Sequence, residues 1–242
     1  MTYCIGMRLE EGLVFLSDSR TNAGLDHINT FRKMTCWEQP GDRVLVLLTA
    51  GNLAISQAIV NVLEEQVVKD SQQPGLLGTS TLFDVAVLVG AAVREVYRRD
   101  AEALKEFGVE FNPSLILGGQ IFGEDPRLFC IYAAGNFIEA TMETPYFQIG
   151  ESKYGKPILD RVIRPDTSLD EAAKCALISM DSTIRSNLSV GTPLDLLLYR
   201  RNELEVKRHV VIEAEHPYFA MLRTRWGEQL RRVFLELPNP DW

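Results

Sequence analysis

Hydrophobic positions along the chain fall into short, strand-length runs separated by three longer stretches with helical spacing. Residues 3–9 and 13–16 read as two strands around a Glu10-Glu11-Gly12 turn, and the second runs into Ser17, Asp18, Ser19 and Arg20. Residues 21–29 are polar, contain Gly24, and are expected to form a loop. Residues 30–37 make a further strand candidate carrying Lys33. Pro40, Gly41 and Asp42 then turn the chain into residues 44–48, an apolar, β-branched run of the kind buried on both faces of a sheet.

Gly51 follows that run and precedes a helix. Within residues 53–68, Ile55, Ile59, Val62, Leu63 and Val67 recur at helical spacing, with Glu64, Glu65 and Lys69 on other faces. Pro74, Gly75 and Gly78 form a connector. A second helix is predicted over residues 81–107, with Val85, Leu88, Val89, Ala92, Val93, Val96 and Leu104 lining one face and Gly108 ending it. Residues 114–117 and 128–133 are buried strand candidates, between which Gly118, Gly119, Gly123 and Pro126 read as turn and bulge residues. Residues 135–165 show no clear period, and part of this stretch is expected on the surface. Ser168 and Glu171 form a capping box that opens a third helix, with Leu169, Ala172, Ala176 and Met180 on one face. Residues 194–199 pair naturally with 205–212 across Arg201 and Asn202, and the arginine-rich tail 218–234 reads as a helix suited to an interface.

Helices do not alternate regularly with strands in this order, which speaks against a doubly wound parallel sheet. Hairpin strands in groups, with long helices between the groups, favour two antiparallel sheets covered by helices on both outer sides. No internal repeat or linker-like tract divides the chain, so one domain spanning residues 1–242 is expected.

Composition narrows the function classes. A chain of 242 residues can bury roughly 70% of its unfolded surface. The net charge of −8 argues against a general nucleic-acid binder, which needs clustered positive charge. Arg94, Arg98 and Arg99, and the arginines between 223 and 232, read as solvated helix faces or contacts between subunits. Cys4, Cys36, Cys130 and Cys175 are scattered without a CxxC pair, so neither a disulfide scaffold nor a zinc knuckle is suggested. Three of them, Cys4, Cys130 and Cys175, sit in apolar runs and read as buried thiols in a reducing cytosol. His27, His209 and His216 show no ligand spacing, and Gly118-Gly119 is no phosphate-binding fingerprint, so no metal or cofactor is expected. Glu10 and Glu11 interrupt any early hydrophobic region, and no run reaches the roughly 20 apolar residues that span a bilayer. A cytoplasmic protein without a membrane partner is expected.

Candidate chemistry gathers at the start of the chain, where strand pattern begins at once. Such a terminus is pinned rather than frayed. Removal of Met1 ahead of a small threonine leaves Thr2 with a hydroxyl and its own α-amine on one residue. A hydroxyl needs an adjacent base to attack at neutral pH. The α-amine, with a reference pKa of about 7.7–8.0 against about 10.4 for lysine, is already near the working range. Asp18, at the end of the second strand, can return to the terminus, and Lys33 could lower the amine pKa by like-charge repulsion. Gly51, at a strand–helix switch, lets backbone N–H groups approach a substrate carbonyl, and such oxyanion donors contribute about 3–4 kcal/mol each. Read alone, Thr2 is an ordinary second residue, Asp18 a cap or turn residue, Lys33 a surface or edge lysine, and Gly51 a turn glycine.

The segments Met1-Thr2-Tyr3-Cys4-Ile5-Gly6, Ser17-Asp18-Ser19-Arg20-Thr21-Asn22-Ala23-Gly24, Thr30-Phe31-Arg32-Lys33-Met34 and Thr49-Ala50-Gly51-Asn52 occur in order. In them the chain resembles the proteasome-type N-terminal nucleophile (Ntn) hydrolases, most closely the bacterial Anbu, or ancestral β-subunit, proteins. The resemblance covers essentially the whole chain and is strongest over residues 1–60. It implies an α+β fold, the four-layer αββα sandwich, and makes Thr2 the nucleophile, Asp18 and Lys33 its charged neighbours and Gly51 the oxyanion-hole glycine. It also implies a large homo-oligomer, open and helical or ring-like, acting on peptide or unfolded protein, with no established ATPase partner.

The chain departs from the family pattern at three places. Where the family carries a serine after a glycine near the catalytic centre, this chain offers Gly135-Asn136. The later Asp-x-x-Ser-Gly segment is matched by residues 186–191, which lack the aspartate but hold Ser186 and Ser189 as supporting candidates. No propeptide is expected ahead of Thr2 beyond Met1. Alternatives to peptide hydrolysis are a small-amide hydrolase on the same fold and a catalytically dormant, peptide-binding scaffold.

Overall fold

A computed structural model describes residues 1–22, 28–68 and 75–242. Two five-stranded antiparallel sheets form its centre. In the first, β10 (Tyr146–Gly150), β1 (Tyr3–Leu9), β2 (Gly12–Asp18), β11 (Leu194–Arg200) and β12 (Arg208–Ile212) lie side by side in that order. The second runs β5 (Met34–Gln39), β6 (Arg43–Ala50), β7 (Ser114–Ile121), β8 (Arg127–Ile131) and β9 (Phe137–Glu139). A small hairpin of β3 (Arg20–Asn22) and β4 (Ile28–Thr30) stands apart from both.

Side-chain parity along each strand builds the layers. In β1, Tyr3, Ile5, Met7 and Leu9 face a core shared with α3 (Lys156–Val162), α4 (Leu169–Ser186) and α5 (Pro217–Glu236), whereas Cys4 faces the other sheet. In β6, Leu45 and Leu47 meet α1 (Leu53–Val68) and α2 (Leu82–Glu106), while Val44, Val46 and Leu48 meet the first sheet. Successive residues of a strand point to opposite faces, and here both faces are covered. That is why the central strands are apolar almost throughout. The result is an α+β sandwich of four layers, helix, sheet, sheet, helix, as expected.

Local signals hold at the helix ends. The Thr81 hydroxyl accepts from the Asp84 N–H at 3.1 Å, and Ser168 with Glu171 makes the reciprocal capping box that opens α4. Gly108, with φ +70°, follows the end of α2. The buried Asp181 of α4 meets Arg185 of the same helix at 2.9 Å and Arg223 of α5 at 2.7 Å, and the second contact fastens α5 to α4. Only Phe219 and Leu222 of α5 are buried; Leu230, Val233, Phe234 and Leu235 on its distal half are exposed. No helix among the described residues is long and apolar enough to cross a membrane.

Several segments differ from the sequence reading. The polar stretch expected as a loop at 21–29 contributes to the β3–β4 hairpin, and its Ala23, Gly24 and His27 lie outside the described residues, as do Lys69 and Pro74. Lys33 is not on a strand. The expected strand 30–37 breaks at residues 31–33, where the chain leaves the hairpin to enter the second sheet. Residues 135–165 contain β9, β10 and α3, and β10 crosses to the first sheet to pair with β1. Gly118 and Gly119 lie inside β7, not in a turn. A Cβ on Gly118 would stand 2.7 Å from the Phe15 ring, so the absent side chain lets the two sheets approach.

Gly118→Ala therefore crowds the inter-sheet core and is expected to lower the urea midpoint by the equivalent of about 1–3 kcal/mol. Gly227 in α5 has open space where its Cβ would be. Gly227→Ala is expected to raise stability by about 0.5–1 kcal/mol in the same measurement.

Candidate active site

The site is built where the first strand begins. The Thr2 carbonyl accepts from the Glu151 N–H at 2.7 Å, and the Tyr3 N–H donates to Asp18 Oδ1 at 2.9 Å. Tyr3 is wholly buried, and its hydroxyl lies 2.7 Å from Ser179 Oγ on α4 and also accepts from Gln148 of β10. Both the carbonyl and the N–H of the peptide that follows the Thr2 α-carbon are thus held, and the next side chain is anchored in the helical layer.

Asp18 closes β2, opposite Leu194 of β11. It is fully buried, and Oδ1 also accepts from Lys33 Nζ at 2.8 Å. Lys33 Nζ donates to the Arg20 carbonyl at 2.7 Å as well, and the Lys33 carbonyl takes the Thr49 N–H at 2.9 Å. These two backbone ties fix a lysine that no strand holds. Burial pushes the Asp18 carboxyl above its ordinary value; the Lys33 charge and hydrogen bond, and the N–H groups of Tyr3 and Gly191, pull against that rise.

Thr2, Lys33, Thr49 and Gly51 line one cleft of about 350 Å³ together with Met1, Arg20 and Asn52. Gly51 follows β6 with φ +112°, and a Cβ there would come within 2.8 Å of the Asn112 carbonyl. Asn52 then caps α1 through its side-chain oxygen, which accepts from the Ala54 N–H at 2.9 Å. A second cavity of about 340 Å³, lined by Phe31, Met34 and Val60 among others, shares Thr49, Leu53 and Ser56 with the cleft.

The Thr2 nitrogen is here the amide of the Met1–Thr2 peptide, so the free amine in this structure belongs to Met1. Burial holds that amine below its ordinary value and Lys33 adds to the effect, while Asp18 and then Glu151 oppose it.

Thr2, Asp18, Lys33 and Gly51 therefore come together. The supporting candidates fare differently. Asn136 lies in the turn from β8 to β9, whose Gly135 abuts Gly90 and Arg94 of α2, and it does not line the cleft. The glycine-plus-polar pair that meets Thr2 is Gly150-Glu151. Ser186 ends α4, and Ser189 uses its N–H on the Asn187 side chain at 3.0 Å. It is Asn187, between them, that reaches the terminus: its amide lies 2.9 Å from Glu151 Oε2 and 3.9 Å from Met1 Sδ. Glu151 and Asn187 went unnoticed in the sequence because the glycine-plus-polar pattern occurs at both 135 and 150. Only the pairing of β10 with β1 tells the two apart. His209 pairs with Asp195 at 3.2 Å, and no metal-binding cluster occurs among the described residues.

A model of the proteasome subunit family matches residues 2–196. Proteasome subunit beta 2 of Pyrobaculum calidifontis is 24% identical over 86% of this chain and 95% of its own length. The chain belongs to the proteasome subunit family, with its Ntn-hydrolase-like architecture. Among solved structures it is similar to Anbu (ancestral beta-subunit) from Yersinia bercovieri, at 54% identity and a TM-score of 0.93 over 100% of this chain and 99% of that one. A Gly-1 mutant of Anbu from Hyphomicrobium sp. strain MC1 gives 49% and 0.94 over the full length of both chains. The Anbu complex from Pseudomonas aeruginosa, solved as a helical assembly, gives 49% and 0.93 over 99% of this chain and 98% of that one. Within its family, the chain falls in the Anbu branch.

Lys33→Met leaves the Asp18 carboxylate buried without its cation, and unfolding experiments are expected to show a loss of about 3–5 kcal/mol. With its cation gone, the carboxyl is raised further and binds its proton more readily folded than unfolded. Stability then falls as pH rises through the folded value, so the penalty is larger at neutral than at mildly acidic pH. The double variant Asp18→Asn with Lys33→Met is expected to lose less than the sum of the two single changes.

Proposed function

We propose that the protein is a threonine-type N-terminal nucleophile hydrolase that cleaves peptide amide bonds once Met1 has been removed. The observation that carries this reading is the convergence of Thr2, Lys33 and Gly51 on one cleft, with Lys33 braced against buried Asp18. The freed α-amine takes the proton of Thr2 Oγ as Oγ bonds to the substrate carbonyl carbon. The Gly51 N–H donates to the resulting oxyanion, and the amine returns the proton to the leaving nitrogen as the C–N bond breaks. Water then hydrolyses the ester on Thr2, releasing the acid and restoring the hydroxyl.

The second cavity, which shares Thr49, Leu53 and Ser56 with the cleft, supports a peptide over a small amide because it offers room for substrate beyond the reacting bond. Self-association into a large homo-oligomer is part of the reading. It is supported by the helical assembly of the Pseudomonas aeruginosa relative and by the exposed apolar residues on distal α5. Free thiols at all four cysteines support a cytoplasmic setting. A dormant, peptide-binding assembly is the second reading, favoured by the Glu151–Asn187 pair beside the terminus where the family pattern has a serine.

Intact mass spectrometry of purified protein is expected to show loss of Met1. A threonine-directed electrophile should then label the chain, with no labelling of Thr2→Ala and a rate at least about 100-fold lower in Lys33→Met. A uniform population that retains Met1, or equal labelling of Thr2→Ala, overturns the hydrolase reading; no labelling and no turnover over varied peptides leaves the dormant one.

A further inference from the structure

Beside Thr2 lies a carboxylate that the proposed mechanism does not use. Gly150 has φ +79°, and a Cβ there would sit 2.0 Å from the Thr2 carbonyl oxygen. The chain can turn there only as glycine, and the turn brings the next residue, Glu151, against Thr2, where its N–H grips the Thr2 carbonyl. The Glu151 side chain is 10% exposed. Its Oε2 accepts from Asn187 at 2.9 Å and its Oε1 lies 3.5 Å from Lys153 Nζ, which is 68% exposed. The Asn187 amide that holds the carboxylate also reaches Met1 Sδ. Glu151, Asn187 and the residue ahead of Thr2 therefore share one patch. An ionised carboxylate accepts about four hydrogen bonds, so these partners leave it capacity for another donor.

We propose that Glu151, steadied by Asn187, is the positioning residue for the α-amine of Thr2: it receives the ammonium form and so sets the pH above which the amine becomes a base. This rests on the reading of Thr2 as the processed terminus. The charged groups around the amine come from every side of the site: Lys33 from the link after β4, Asp18 from β2, Glu151 from the end of β10, and Lys153 behind it. Arg20 of β3 also lines the cleft, with its guanidinium donating to the Leu188 carbonyl and packing on Gly191. Lys33 favours the neutral amine, and Asp18 and Glu151 favour the ammonium, the same signs found for the Met1 amine. Both contacts that Asp18 makes with Lys33 and the Tyr3 N–H fall on Oδ1, and its buried Oδ2 has no hydrogen-bond partner, so the choice of Glu151 rests on the patch it shares with Asn187 and the residue ahead of Thr2. A serine hydroxyl at this place would orient the amine without charging it; a carboxylate moves its working range upward.

The test titrates the amine directly and needs no turnover. On full-length protein lacking Met1, the rate of N-terminal carbamoylation by cyanate is followed against pH by mass spectrometry of the terminal peptide. Glu151→Gln keeps the backbone bond to Thr2 and is expected to lower the amine midpoint by about one unit. Lys153→Met, an exposed change that spares the fold, is expected to raise it by a few tenths as the Glu151 charge loses its partner. Opposite shifts support the positioning role, even if the electrophile fails to label Thr2, in which case the hydrolase reading alone falls. A midpoint unmoved in both variants, or moved in the same direction by both, overturns the role of Glu151.

Discussion

One buried oxygen, Asp18 Oδ1, joins three segments that are far apart in sequence. It accepts from the backbone at Tyr3 and from the ammonium of Lys33, and its strand is bonded to β11. A carboxylate without solvent must find such partners or give up its charge. Meeting that requirement draws the terminus, the end of β2 and the link after β4 to one point. The nucleophile candidate is thus placed by the same contacts that make a buried charge tolerable, and the stability and chemistry of the site cannot be separated.

The layers around this point explain why it can be dry. Each central strand is covered by helices on one side and by the opposite sheet on the other, so the first sheet carries Asp18 to an end of the sandwich without leaving the interior. Gly118 lets the sheets close on Phe15. The cleft opens where β6 gives way to α1, and the backbone of Gly51 there has no side chain to obstruct it.

Much of this was legible in the chain. Period-two and period-3.6 patterns located the central strands and the long helices, and the capping box at Ser168 and Glu171 marked the start of α4. Thr2, Asp18, Lys33 and Gly51 were suggested by residue type and order and singled out by the family resemblance, and they line or underlie one cleft. What escaped was non-local. Nothing in residues 146–150 announces that they pair with β1 rather than with a neighbour in sequence, so Gly135-Asn136 stood in for Gly150-Glu151. Lys33 was placed on a strand because β-branched and aromatic residues flank it, whereas a change of sheet interrupts the ladder there. Gly118-Gly119 read as a turn because close approach of two sheets leaves no trace in local pattern.

The grip on Thr2 has a consequence for the order of events in the life of the chain. Thr2 is 8% exposed, its carbonyl and the following N–H are both engaged, and only Met1 projects outward. An aminopeptidase needs the bond it cuts to lie in a slack, extended segment, and folding takes that slack away. The proposed removal of Met1 would therefore compete with folding, because the pairing of β1 with β2 and β10 takes up the slack beside the bond to be cut.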